Sequence, residues 1–161
     1  MNFLEGLQQT VMARWVLESD YGFYILLAGH AVGMAVVAGA MFMLAIRVLG
    51  YGKDEPMAVF DRLYPVAWWG FALNALTGTI LFAANGIHLF QNLAFVLKLV
   101  MIALGGVAVF ALARGVRQDQ AFFEGRASAS LRSKVLAVAT LGLWTGAIIA
   151  GRVIGYTMTY S

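Results

Sequence analysis

Three side chains carry most of the chemistry this sequence offers: His30, Lys98 and Arg152. Each lies inside a hydrophobic run long enough to cross a bilayer. An ionisable group in such a run is costly to bury, which makes it a functional-site hypothesis by default. With each run's midpoint taken as the bilayer centre and a rise of about 1.5 Å per residue, His30 lies about 6 Å, Lys98 about 7–8 Å and Arg152 about 8 Å to the same side of centre. Three helices thus bring cation-capable groups to one level. No Asp or Glu falls inside any of the runs, and the polar residues of the second run near this depth are Asn74, Thr77 and Thr79.

Two fixed positive charges in hydrocarbon require an anion or water nearby. A haem b fits that requirement, because its iron takes a histidine and its propionates take lysine or arginine. His30 is then the expected iron ligand, with Lys98 and Arg152 as propionate or substrate partners. Gly29 and Gly33 flank His30 and leave room for a flat macrocycle. Met34 lies one turn away on the same face, which makes it a second candidate ligand for haem or copper. Two ligands from adjacent turns of one helix are badly placed to be opposite axial ligands, so ligation by His30 alone, or with a group from another helix, is the simpler expectation. His88 is the other candidate metal ligand. It sits about 19 Å from the centre, roughly 13 Å beyond His30, so bis-histidine ligation needs a strong tilt or a re-entrant second loop. The plainer reading of the same residues has Lys98 and Arg152 snorkelling to headgroups or a lipid phosphate. In that reading His30 is a neutral histidine bonded to a carbonyl or a threonine.

The elements that position these residues follow from hydropathy. The 161 residues are 61% hydrophobic and 12% charged, with a mean hydropathy of +0.81. A soluble domain has about 25% charged residues, so the chain reads as a single all-α integral membrane domain over residues 1–161, a four-helix bundle. Transmembrane helices are expected at about 22–46, 65–86, 93–113 and 135–158, each long enough for a bilayer that needs about 20 residues. Residues of about 3–18 have Leu4, Leu7, Val11, Met12 and Trp15 at helical spacing among polar residues, the pattern of an amphipathic interfacial helix. Ser19 and Asp20 look like the cap of the first span. Gly29/Gly33, Gly142/Gly146 and Gly151/Gly155 are small-xxx-small pairs suited to close helix approach in lipid. With no cysteine, disulfides, cysteine-held zinc and iron–sulfur clusters are excluded.

Charge sets the orientation. The first loop carries Arg47, Lys53 and Arg62, and the third carries Arg114, Arg117, Arg126, Arg132 and Lys134, whereas the second carries neither Lys nor Arg. The positive-inside rule makes loops one and three cytoplasmic and puts both termini outside. The basic residues therefore read as topology and not as nucleic-acid binding. The first residues lack the features of a cleaved signal peptide, so the N-terminus is expected to be retained. The third loop, with Gly115, Gly125, Ser128 and Ser130, looks flexible.

Particular runs carry a resemblance. They are Gly29-His30, Arg47-Val48-Leu49-Gly50, Tyr64-Pro65, Thr77-Gly78, Phe95-Val96-Leu97-Lys98 and Gly151-Arg152-Val153-Ile154-Gly155-Tyr156. From Tyr21 onward the chain resembles an uncharacterised bacterial family of four-helix integral membrane proteins. It is more distantly similar to the HemJ-type protoporphyrinogen oxidases, which bind haem b and use a first-span histidine and a third-span lysine. Those positions match His30 and Lys98. The later third-span histidine motif of that group is replaced here by Gly105-Gly106-Val107-Ala108, and its Asn-Glu-x-Pro run is absent. A similar layout occurs in the CopD-type copper-resistance membrane domains. The expectation is a haem b-binding protein of the bacterial inner membrane with a redox or electron-transfer role; the two alternatives are an accessory subunit of a respiratory or photosynthetic complex without its own cofactor, and a copper-handling protein. Expected partners are membrane lipids, a quinone, and a larger membrane complex or further copies of the chain.

Overall fold

Backbone amides and carbonyls in lipid have no water to bond, so the hydrophobic runs satisfy them internally as helices. A computed structural model describes residues 6, 8–52 and 55–159, apart from the side chains of Ile87, Met158 and Thr159. Leu4, Leu7, Lys53 and the first and last few residues lie outside this set. The described elements are α1 Val11–Glu18, α2 Gly22–Leu49, α3 Met57–Asp61, α4 Leu63–Gln91, α5 Leu93–Gln118, α6 Gln120–Phe123 and α7 Leu131–Thr159, with no strand among the described residues. The helices α2, α4, α5 and α7 are each long and apolar enough to cross a membrane. Three of them run about a turn past the expected limits at the end that carries the basic loops. Hydropathy marks where lipid stops, and the helices continue beyond that point through Arg47, Arg114 and Arg117. Pro65 falls in the first turn of α4, where a missing N–H leaves no intrahelical bond unmade. At the end of α2, Gly50 takes a left-handed φ of 109° and its N–H bonds the Arg47 carbonyl at 3.1 Å, a stop that only a residue without Cβ makes cheaply.

The four long helices form a bundle that is open on one side. Helix α2 packs against α4 and α7, and α5 packs against α7, while α4 and α5 make little contact. One contact they do make is Phe82 stacked on Phe95, with ring centres 5.7 Å apart. Helix α2 is therefore central, half of its most apolar window being buried, whereas α5 is peripheral with 11%. The α2–α4 crossing is the tightest point. A Cβ on Gly33 would sit 2.8 Å from the Asn74 amide nitrogen and 2.9 Å from the Gly70 carbonyl oxygen. A Cβ on Gly70 would sit 2.7 Å from Val36 Cγ1. The two backbones touch, as small residues permit in a membrane. Of the other glycine pairs, Gly146 meets Met101 Sδ and Gly151 meets the Lys98 stem, while a Cβ on Gly142 or Gly155 would touch nothing within 4 Å.

Two segments are more closely packed than the sequence alone indicated. Helix α1 keeps the apolar face given by its spacing outward and rests on the bundle by its other face. Thr10 caps it, and it buries Ala13 and Val16 against Ala84 of α4, leaving Val11, Met12 and Trp15 exposed. The Gln8 side chain donates to the Ala84 carbonyl at 3.3 Å, beside the non-helical kink of α4 at Asn85. The loops at the basic end are also less open than their glycines and serines suggested. They contain α3 and α6, whose Met57 and Phe122 are buried with Leu44, Val48, Leu112 and Val116. Arg117 bridges to Asp61 at 2.8 Å and lies over the Tyr64 ring. Apolar side chains in a charged loop had to be buried somewhere, and they seal this end of the bundle.

If the Gly33–Gly70 contact sets the α2–α4 crossing, Gly33→Ala lowers stability in detergent by about 1–3 kcal/mol, the usual cost of overpacking. Gly39→Ala, where a Cβ meets nothing within 4 Å, is neutral or stabilising by up to about 1 kcal/mol through helix propensity. Thermal unfolding of the two variants side by side checks the pair, and equal losses would remove the crossing from its central place.

Candidate functional site

His30 projects from α2 towards α4, where the close Gly33–Gly70 approach brings backbone groups within reach. Its Nδ1 lies 3.0 Å from the Asn74 carbonyl oxygen and 3.2 Å from Thr77 Oγ1. A carbonyl can only accept, so Nδ1 carries the proton. The Thr77 hydroxyl donates to the Leu73 carbonyl at 2.7 Å, which leaves its oxygen free to accept from the same Nδ1–H. Asn74 completes the exchange, its Nδ2 donating to the His30 carbonyl at 2.8 Å. Gly78 gives the ring its space: a Cβ there would be 2.9 Å from His30 Cε1.

With the proton on Nδ1, the Nε2 lone pair points away from α4. Lys98 Nζ of α5 lies 3.2 Å from it and donates to it. The lysine stem passes Gly151 of α7, where a Cβ would be 3.5 Å from Nζ. His30 and Lys98 are both half-buried. Three spans thus supply the polar parts of the site, and the fourth supplies a gap beside the lysine. A lone pair aimed by a carbonyl on the opposite ring nitrogen is the arrangement ligating histidines use, and it equally suits a proton acceptor held by a cation.

The remaining sequence candidates are not all brought in. Arg152 follows Gly151 and so points about 100° away round α7; its side chain is exposed. Sequence depth placed it at the right level, but the rotation of α7 turns it outward from His30 and Lys98. Met34 packs against the cluster of Val37, Met41 and Trp144. The Gly29 and Gly33 faces are covered by α4, with Thr77 Cγ2 beside Gly29 and the α4 backbone against Gly33. A macrocycle therefore does not approach His30 from that side, and the Nε2 side of the ring faces Lys98 of α5. His88 is exposed and lies 14 residues beyond Asn74 on α4, past the kink, about 20 Å along the helix. No group of three or more His, Cys, Asp or Glu side chains suited to a metal ion occurs among the described residues. Asn74 and Thr77 stood out in the sequence as polar groups at this depth, but only the α2–α4 contact shows what they bond. Gly78 had no signal beyond its place after Thr77.

Comparison with family models, with curated proteins and with solved structures gave no match. The functional reading therefore rests on the residues themselves.

The geometry sets the tautomer. In protein labelled with ¹⁵N at histidine, the imidazole shifts of His30 show protonated Nδ1 and unprotonated Nε2. Gly78→Val, which drives side-chain atoms into Cε1, shifts the signal to a tautomer mixture. A dominant Nε2–H form in the unmodified protein would contradict the bonding described here.

Proposed function

We infer that the chain binds one haem b through His30 Nε2 and carries electrons within the bacterial inner membrane, between a membrane donor such as a quinol and an acceptor at the face opposite the basic loops. The observation that carries this reading is the His30 ring, fixed through Nδ1–H on the Asn74 carbonyl with its Nε2 lone pair turned to the Lys98 ammonium of α5. The bound group would supply a one-electron iron couple. Among the described residues the protein offers too few ligands in one place for a bare metal ion, whereas a macrocycle brings four nitrogens and needs one or two from the protein. The α4 carbonyl fixes the tautomer and holds the plane of the imidazole. Lys98 is the movable part. Its stem lies beside Gly151, and if it left Nε2 its ammonium would be the group to hold a propionate carboxylate, since no acidic residue lies in α2, α4, α5 or α7 at its depth. The contact between α4 and α5 is slight, and a flat ligand would enter along that seam beside the stacked Phe82 and Phe95 rings.

A second reading is favoured by the same seam. Leu97, Leu104, Val107 and Phe110 of α5 are exposed, and a helix of a larger membrane complex laid along them would make this chain an accessory subunit without a cofactor of its own. The spectrum separates the two. Protein purified in mild detergent from haem-replete cells shows a Soret band and, after dithionite, an α-band of the b type; His30→Ala loses both, and Lys98→Gln retains haem with weaker binding. A flat spectrum sinks the haem reading, and co-purification with a large complex then supports the other.

Orientation follows from the basic loops, with loops one and three cytoplasmic. Because the chain has no cysteine, single reporters are clean. Tyr51→Cys, in the first loop, reacts with a membrane-impermeant maleimide only after lysis, and Leu93→Cys reacts in intact cells. The reverse pattern inverts the topology.

A further inference from the structure

Arg47, at the basic end of α2, is buried to 4% exposure. Its Nε and Nη2 both donate to the Glu55 carbonyl, at 3.1 and 2.9 Å. Its guanidinium lies 5.9 Å from the centre of the Phe60 ring and 5.4 Å from that of Phe122. A carbonyl and two ring faces hold a cation in place, but they carry no net negative charge. The ion pairs among the described residues lie elsewhere, between Arg117 and Asp61 and between Arg126 and Glu124. Arg47 Nη1 makes no hydrogen bond within the described residues. A buried guanidinium in this state retains both charge and donors for another group.

Arg47 also lines a cavity of about 300 Å³ between the end of α2 and the loop before α7. Arg126, Ser128 and Lys134 share the lining, together with the turn at Gly125, and no acidic side chain among the described residues does. Three cations thus converge on a space equal to roughly ten waters' share of liquid volume. The planar guanidinium fork matches phosphate oxygens, and a lysine ammonium adds a point charge.

We propose that this cavity binds a phosphate group, carried either by an anionic lipid or by a soluble anion, with Arg47 as the buried anchor and Arg126 and Lys134 at its rim. The cavity lies at the basic end of the bundle, where membrane-spanning helices meet the headgroup layer, and a bound phosphate would neutralise Arg47 where the protein's own described groups do not. Arg126 would exchange its contact with Glu124 for the ligand. The site is separate from His30 and Lys98 and does not depend on haem.

The test uses the full-length protein in nanodiscs of phosphatidylcholine, titrated with inorganic phosphate in one arm and with phosphatidylglycerol doped into the discs in the other. Thermal stability and the number of retained lipids per chain are read. Saturable stabilisation by phosphatidylglycerol alone, at about one lipid per chain, assigns the site to a headgroup; saturable stabilisation by inorganic phosphate assigns it to a soluble anion. Lys134→Gln with Arg126→Gln, both at the rim and outside the core packing, weakens whichever effect is seen by about tenfold or more, in line with the loss of charge-assisted bonds. Arg114→Gln, an exposed cation outside the lining, leaves it unchanged. No saturable effect in either arm overturns the proposal, as does equal binding by the rim variant and the unmodified chain. Because the rim variant keeps Arg47 and its contacts, a folding defect at Arg47 does not obscure the result.

Discussion

The reciprocal hydrogen bonds between His30 and Asn74 organise this bundle, and they exist because two helix backbones touch. In hydrocarbon an imidazole needs a partner from the protein. The partner for Nδ1 is a main-chain carbonyl of α4, which a neighbouring helix exposes to a side chain only at very short range. Gly33 and Gly70 provide that range. The same approach brings the Asn74 amide to the His30 carbonyl. Interhelical hydrogen bonds of this kind contribute about 0.5–2 kcal/mol each in membranes, less than a well-packed crossing. Their larger consequence is directional: with the proton held on Nδ1, the lone pair of Nε2 has one orientation.

The two sides of the ring are built differently. On the Nδ1 side everything is backbone, or a threonine locked to its own helix through the Leu73 carbonyl. On the Nε2 side the partner is the end of a long, flexible lysine on α5, the least buried of the four spans. Lys98 reaches His30 from a helix that rests mainly on α7. A fixed donor atom facing an exchangeable cation is suited to a ligand that comes and goes without disturbing the helix crossing. A purely structural histidine would gain nothing from such asymmetry, because a second rigid acceptor or donor would hold it better.

Depth was legible in the sequence and azimuth was not. Hydrophobic runs and a constant rise per residue placed His30, Lys98 and Arg152 at one level, and two of the three do meet. Arg152 does not, because the rotation of α7 is set by contacts such as Gly146 against Met101 and Trp144 beside Gly105, which join residues far apart in sequence. For the same reason Gly33 looked like space for a ligand, whereas α4 fills it. The four spans were legible as hydropathy, but their ends at the basic loops were not, since a helix can leave the lipid without stopping. Helix α6 was hidden in a loop rich in Gly, Ser and Arg. The signal that could have revealed it was Phe122 and Phe123 together, an apolar pair that such a loop has no other reason to carry.

Charge balance joins the two ends of the molecule. Lys98 in the membrane and Arg47 at its edge are held by neutral groups: an imidazole in one case, a carbonyl and two rings in the other. Removing a cation from water is expensive, and neutral dipoles recover only part of that cost. Where the described residues form ion pairs, they do so at exposed positions, Arg117 with Asp61 and Arg126 with Glu124, where such pairs contribute little. Among the described residues, then, no acid pairs with either buried cation. A fold that needed Lys98 and Arg47 only for stability would do better with an acidic neighbour or with an apolar residue of similar size. Retaining uncompensated cations makes physical sense if their counter-charges arrive with something bound: carboxylates beside His30 and phosphate beside Arg47.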